Sequence, residues 1–186
     1  FVLIPAPVDH LTPSDDPKRR RAGKVPPVLP PHPHIMSDQL ALVCHPAAPA
    51  PPGVELKASV CADGQDGISC RFLMAGNLGH LIIPAPRPSA PADDLWQHTC
   101  FELFAKSIDG VAYREFNFSP DGRWAAYAFG SYRERSTDGP SVSLAPPTCQ
   151  IFGDCLELTA VVPGAWLPSR TPLRLGLTAV LEARDG

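Results

Sequence analysis

No run of about 18 apolar residues occurs in this 186-residue chain, so it encodes no membrane-spanning helix. Long uninterrupted helix-forming segments are scarce as well. The 24 prolines and 14 glycines break regular structure throughout, and proline inside a helix costs a hydrogen bond. A mostly helical fold is therefore excluded. No Cys-x-x-Cys pair joins any of the six cysteines (Cys44, Cys61, Cys70, Cys100, Cys149 and Cys155), and the tightest spacing, Cys149 to Cys155, is too loose for a zinc knuckle. Gly-x-Ser-x-Gly, Gly-x-x-x-x-Gly-Lys, His-Glu-x-x-His and the dinucleotide glycine fingerprint are all missing. Their absence does not exclude an enzyme, but it moves the reading from catalysis towards binding, and no catalytic residue and no metal ligand is assigned. Charge of one sign is not in excess: the formal net charge of −3 argues against a nucleic-acid or anionic-membrane partner. No basic segment precedes Phe1-Val2-Leu3-Ile4, which Pro5 follows at once, so no signal peptide is read. The compartment expected is the cytoplasm, with free, mostly buried thiols; one or two disulfides are the alternative.

Composition divides the chain in two. Residues 1–35 carry proline every few positions and a basic knot, Lys18-Arg19-Arg20-Arg21 with Lys24. Such a segment cannot bury an apolar face, so a disordered or extended tail is expected, with no role in function. Met36 is the expected natural start, and residues 36–186 the folded domain.

From Leu40 onward, short apolar runs alternate with turn residues. Val54–Cys61 has period two, with Val54, Leu56, Ala58 and Val60 opposing Glu55, Lys57 and Ser59. Asp63–Gly67 reads as a turn and Ile68–Met74 as the return strand. Further strands are expected at Leu81–Ile83, Thr99–Ala105, Tyr113–Ser119, Trp124–Phe129, Val142–Leu144, Leu156–Val162 and Leu173–Leu181, with one helical turn near Pro163–Trp166. About nine or ten short strands at this spacing indicate an all-β, antiparallel two-sheet sandwich.

Alternation also sorts the functional groups. Tyr113, Glu115, Asn117 and Ser119 share one face of their strand, and Cys100, Glu102 and Phe104 share one face of theirs. Trp124, Ala126 and Ala128 oppose Ala125, Tyr127 and Phe129. In a meander, one sheet face would then carry Glu102, Glu115, Asn117 and an aromatic ring from Trp124 or Tyr127. Carboxylates, an amide and a flat ring suit a sugar-like ligand: the ring covers C–H groups and the polar atoms fix hydroxyls. The alternative is a solvated polar face with cross-strand pairing, for example Glu115 with Arg114 or Arg133. Hydrolysis by Glu102 and Glu115 would require the two carboxyl groups across a cleft. His98 precedes Cys100 by two residues, but no second ligand pair accompanies it; His45 and His80 sit at strand ends. Met74 is either core filler or an axial haem ligand.

The run Leu95-Trp96-Gln97-His98-Thr99-Cys100-Phe101-Glu102-Leu103-Phe104, with Tyr113-Arg114-Glu115-Phe116-Asn117-Phe118-Ser119-Pro120 and Gly122-Arg123-Trp124-Ala125-Ala126-Tyr127, resembles the bacterial DOMON-like domain family. That family is similar in turn to carbohydrate-binding module family nine. The resemblance spans roughly Leu40 to Gly186 and is most specific over Leu95–Arg133. It implies a β-sandwich binding a small-molecule ligand, a sugar or haem, on a sheet face or in a cleft. Haem-binding relatives use methionine with histidine or lysine; sugar-binding relatives stack tryptophan on the sugar. The ligand-binding residues so implied are Trp96, Glu102, Glu115, Asn117 and Trp124, with Trp96 and Trp124 stacking; His98 and Tyr127 complete the candidate set. The family pattern continues into a further strand with a Tyr-Trp pair, whereas here Asp185-Gly186 reads as a turn whose second strand does not follow.

Overall fold

The computed structural model describes residues 2–4, 39–49, 51–64, 66–137, 139, 143–169 and 172–184. Met36 and the basic run Lys18–Arg21 lie outside the described residues, as do Val142 and Asp185–Gly186. Eleven strands occur among the described residues: β1 (Val2–Ile4), β2 (Leu40–Cys44), β3 (Val54–Asp63), β4 (Gly67–Gly76), β5 (Cys100–Ser107), β6 (Tyr113–Phe118), β7 (Trp124–Ser131), β8 (Glu134–Ser136), β9 (Thr148–Phe152), β10 (Cys155–Val162) and β11 (Leu173–Val180). Helical structure among the described residues is confined to three single 3-10 turns, Leu78–His80, Leu95–Gln97 and Gly164–Trp166. No described helix is long and apolar enough to cross a membrane.

Every strand pair is antiparallel, in the order β8-β7-β6-β5-β11-β1-β2-β3-β4-β10-β9. The short β1 joins two five-stranded sheets by pairing with β11 on one side and β2 on the other. Three residues of the expected tail thus belong to the fold. Their backbone groups fill the gap between β2 and β11. Leu81 makes only an isolated bridge to Ala183, so the strand expected at 81–83 is absent, and the described residues of the one expected at Val142–Leu144, Ser143 and Leu144, lie in a loop. In their place β8 and β9 add an edge to each sheet.

The sheets face each other across one core. On β4, Ile68, Cys70, Phe72 and Met74 are buried; on β10, Leu156, Leu158, Ala160 and Val162. From the opposite sheet come Phe101, Leu103, Phe116, Phe118, Trp124 and Leu177. Contact between the layers is direct: the Phe72 and Phe101 rings lie 5.1 Å apart, and Trp166 meets Phe116 edge-on at 6.1 Å. Period two therefore leaves the alternate residues of β5, β6, β7 and β11 on a face turned away from this core. Cys70 and Cys100 are buried, and Cys44, Cys61, Cys149 and Cys155 are partly so.

Candidate functional site

The face turned away from the core is set by register. Glu102 on β5 stands opposite Asn117 on β6 and Thr178 on β11. Glu115, two residues before Asn117, stands opposite Phe104 and Tyr127. Of the residues singled out in the sequence, Glu102, Glu115, Asn117 and Tyr127 therefore come together. Asn117 is fully buried and donates from Nδ2 to Glu115 Oε1 at 3.1 Å, while its Oδ1 has no hydrogen-bond partner among the described residues. The Thr178 hydroxyl donates to the buried Glu102 carboxylate. Arg114 falls on the opposite parity and Arg133 lies against Tyr132, so neither supplies the cross-strand partner considered for Glu115; Arg135 is the cation that acts on it.

Burial raises the pKa of Glu102, against the opposing hydrogen bond from Thr178, and the neighbouring Glu115 adds to the rise. Burial likewise raises Glu115, with the Asn117 amide and Arg135 acting the other way. Beneath them the Cys100 thiol is pushed well above its usual range by burial and by the two carboxylates, which leaves it inert as a nucleophile. The two glutamates sit side by side on one sheet face, not across a cleft as hydrolysis would require.

An aromatic run borders this polar set. Phe104 and Tyr113 are 6.4 Å apart, Tyr113 and Phe129 stack at 4.5 Å with ring planes 4° apart, and Phe129 meets Tyr127 at 6.4 Å. The Arg135 guanidinium lies 4.0 Å from the centre of the Tyr127 ring. Tyr127 also donates to Asp93 at 2.9 Å, and burial together with that acceptor pushes its phenol up to about 12. Alternation in the sequence gives the parity of Phe104, Tyr113 and Phe129 but not their participation. Cross-strand register supplies that, and Arg135 carries no signal in the sequence because β8 is only three residues long.

Trp124 must be corrected. It is three residues from Tyr127, hence on the other side of β7, and its side chain belongs to the inter-sheet core at 8% exposure. It cannot stack on a ligand at this face. Trp96 is 48% exposed, on the 3-10 turn Leu95–Gln97, which packs against β6. Leu95 anchors that turn on Cys100 and Ala125. His98 is also exposed, but its Nδ1 lies 2.9 Å from Glu182 Oε2, which ties the turn to the segment after β11. Thr99 reinforces the same tie by donating to Ile82 O at 2.6 Å and accepting from Glu182 N at 3.0 Å. His98 thus sits at the margin as a structural contact. Met74 is fully buried between Leu56 and Leu156 in the core, so a haem reaching its thioether would have to part the two sheets.

Two hollows flank the site. One, of about 270 Å³, opens on the same face between Phe104, Tyr113 and Gly176. The other, a wide cleft of about 720 Å³, lies at the β5–β6 turn, between residues 107–114 on one side and Ala165, Leu167, Pro168, Ser169 and Pro172 on the other, away from the polar set. No protein-family model, no curated protein and no solved structure matches the chain.

Proposed function

We propose that this domain is a non-catalytic ligand-binding module for a carbohydrate or similar polyhydroxylated small molecule, held on the outward face of β11, β5, β6 and β7. The observation that carries the reading is the juxtaposition of an aromatic run, Phe104 to Tyr127, with the hydrogen-bonded Glu115–Asn117 pair on one sheet face. Aromatic faces take the C–H side of a sugar ring, and a positioned carboxyl takes its hydroxyls. Half-exposed Trp96, on the turn beside β6, extends the apolar rim. The resemblance of Leu95–Tyr127 to DOMON-like sequences points the same way.

The test is a glycan array followed by calorimetry on cell-wall and storage sugars. Tyr127→Ala or Glu115→Gln should lower affinity about tenfold, the weight of one lost ring contact or charged hydrogen bond. Trp96→Ala should weaken binding without a change in Tm, because its ring is exposed. Absence of any sugar binding that responds to Tyr127 or Glu115 would overturn the reading.

A further inference from the structure

The strand order has two ends, β8 and β9, and they are unlike. An edge strand presents unpaired N–H and C=O groups, which soluble proteins blunt with charge, shortness or a bulge. β8 has all three: it is Glu134-Arg135-Ser136, and its register with β7 shifts between Phe129 and Ser131. β9, Thr148-Cys149-Gln150-Ile151-Phe152, has no charge, no proline and an unbroken register with β10. No described residue outside β10 makes a backbone hydrogen bond with it.

Its side chains are as open as its backbone. Ile151 is 53% and Phe152 65% exposed. Ile151 ends a row that crosses the sheet as Leu56, Met74, Leu156 and Ile151, of which the first three are buried. Cys149 ends the neighbouring row, Ala58, Phe72, Leu158 and Cys149, and is only partly buried. Both rows lie on the core side of the sheet. The apolar layer thus reaches the open edge, where no further described strand covers Ile151.

We infer that β9 pairs with β9 of a second copy of this chain, antiparallel about a two-fold axis, so that the sheet runs on from one subunit into the other. The ends of the strand fix the register. Pro146 and Pro147 precede it and cannot donate to a ladder, and Gly153-Asp154 turn directly into β10. Only pairing centred on Gln150 joins all five residues. It sets Ile151 beside Cys149 of the other copy, which carries both core rows across the seam, and Phe152 beside Thr148 on the outer face. The two Gln150 side chains meet on the axis, where each amide can donate to and accept from its twin. No charge opposes another along this seam, so the strand is complementary to itself. β8 offers no such match, because Glu134 and Arg135 would stand against apolar residues of β9. Pairing of β9 with β9 uses the open edge of both copies and closes as a dimer, whereas β9 on β8 would run on as a fibre. None of the residues proposed to meet a ligand lies on β9, so the dimer stands independently of that reading.

Sedimentation velocity on the full chain in reducing buffer, from nanomolar to high micromolar concentration, tests this. Five residues a side are few beside the roughly 20–30 of a standard interface, so reversible dimerisation in the micromolar range is expected, with no larger species. Ile151→Lys should weaken dimerisation about tenfold or more, since lysine is a charge that edge strands use against pairing. It should leave Tm unchanged, because Ile151 is exposed. Gln150→Glu and Gln150→Lys should each weaken self-association by placing like charges on the axis, and an equimolar mixture of the two should recover a dimer at least as tight as the parent's. A chain that stays monomeric throughout would overturn the proposal; protection of the β9 amides from hydrogen exchange in that monomer would assign the edge to another part of the same chain. A dimer indifferent to Ile151→Lys, or Gln150 variants that do not recover on mixing, would overturn it by placing the seam elsewhere. Growth beyond two copies would overturn the closed dimer in favour of β9 on β8.

Discussion

Glu102 carries a carboxyl almost out of reach of water, facing Asn117 on one side and Thr178 on the other. Its raised pKa makes a stability statement. The folded chain holds a proton that the unfolded chain releases, so this contribution is complete below the ordinary carboxylate range and is lost as pH rises through the folded pKa. Glu115 acts with the same sign. Mild acidification from neutral pH should therefore raise Tm. Glu102→Gln mimics the protonated state: it keeps an acceptor for Thr178 and brings an N–H donor to the strand position opposite the unpartnered Asn117 Oδ1. Thermal melts from pH 8 down to 5 should show the variant a few degrees above the parent at pH 8, with the gap closing as pH falls. A gap that is constant across that range would mean that Glu102 is already neutral or that its charge costs nothing.

The element that positions these groups is the β6–β7 hairpin. Its turn is built around Asp121, which is 1% exposed. The carboxylate accepts from Arg123 N at 3.0 Å and Arg123 Nε at 2.8 Å, and Gly122 adopts a φ of +96° that glycine tolerates. Burial alone would raise the Asp121 pKa; hydrogen bonds from Arg123 and Ser119, with the Arg123 charge, outweigh it and hold the carboxyl below its usual range. Its contribution is present above the ordinary carboxylate pKa and lost as pH falls through the lowered one, opposite in sign to Glu102. Asp121→Ala leaves the Arg123 donors without their acceptor, so denaturant melts should report a loss of about 1–3 kcal/mol. This hairpin also marks where sequence reading succeeds and stops. Pro120-Asp121-Gly122 announces the turn, and alternation sorts each strand into two sets without error. Alternation alone cannot say which set faces the core. On β7 both sets are small and aromatic, so Trp124 and Tyr127 look interchangeable until the register with Phe118 and Glu115 is known.

For the molecule as a whole, the two-sheet class was legible because most strands exceed five residues and bury alternate positions, as β3 and β10 do. The elements that escaped are short or polar: Glu134-Arg135-Ser136 has no apolar face to read, and Val2–Ile4 gains its place only from partners far along the chain. Fold and site are nonetheless separable by experiment, because they occupy opposite faces of one sheet. Trp124 packs in the core that joins the layers, while its backbone N and O bond to Ala90 O and Ala92 N at 3.3 and 2.9 Å. Trp124→Ala removes the ring and leaves those backbone bonds intact. It should cost about 3–5 kcal/mol of stability, the range for large aromatic truncations in cores. Trp124→Phe should recover most of that loss, since it refills part of the volume. Ligand affinity, measured well below the lowered Tm, should stay within about twofold of the parent, because changes without shared contacts are nearly additive. Tyr127→Ala should do the reverse, with a small change in Tm and a large one in affinity. If Trp124→Ala instead abolished binding in protein that is still folded, the ligand would have to lie between the sheets, and the outward face would lose its role.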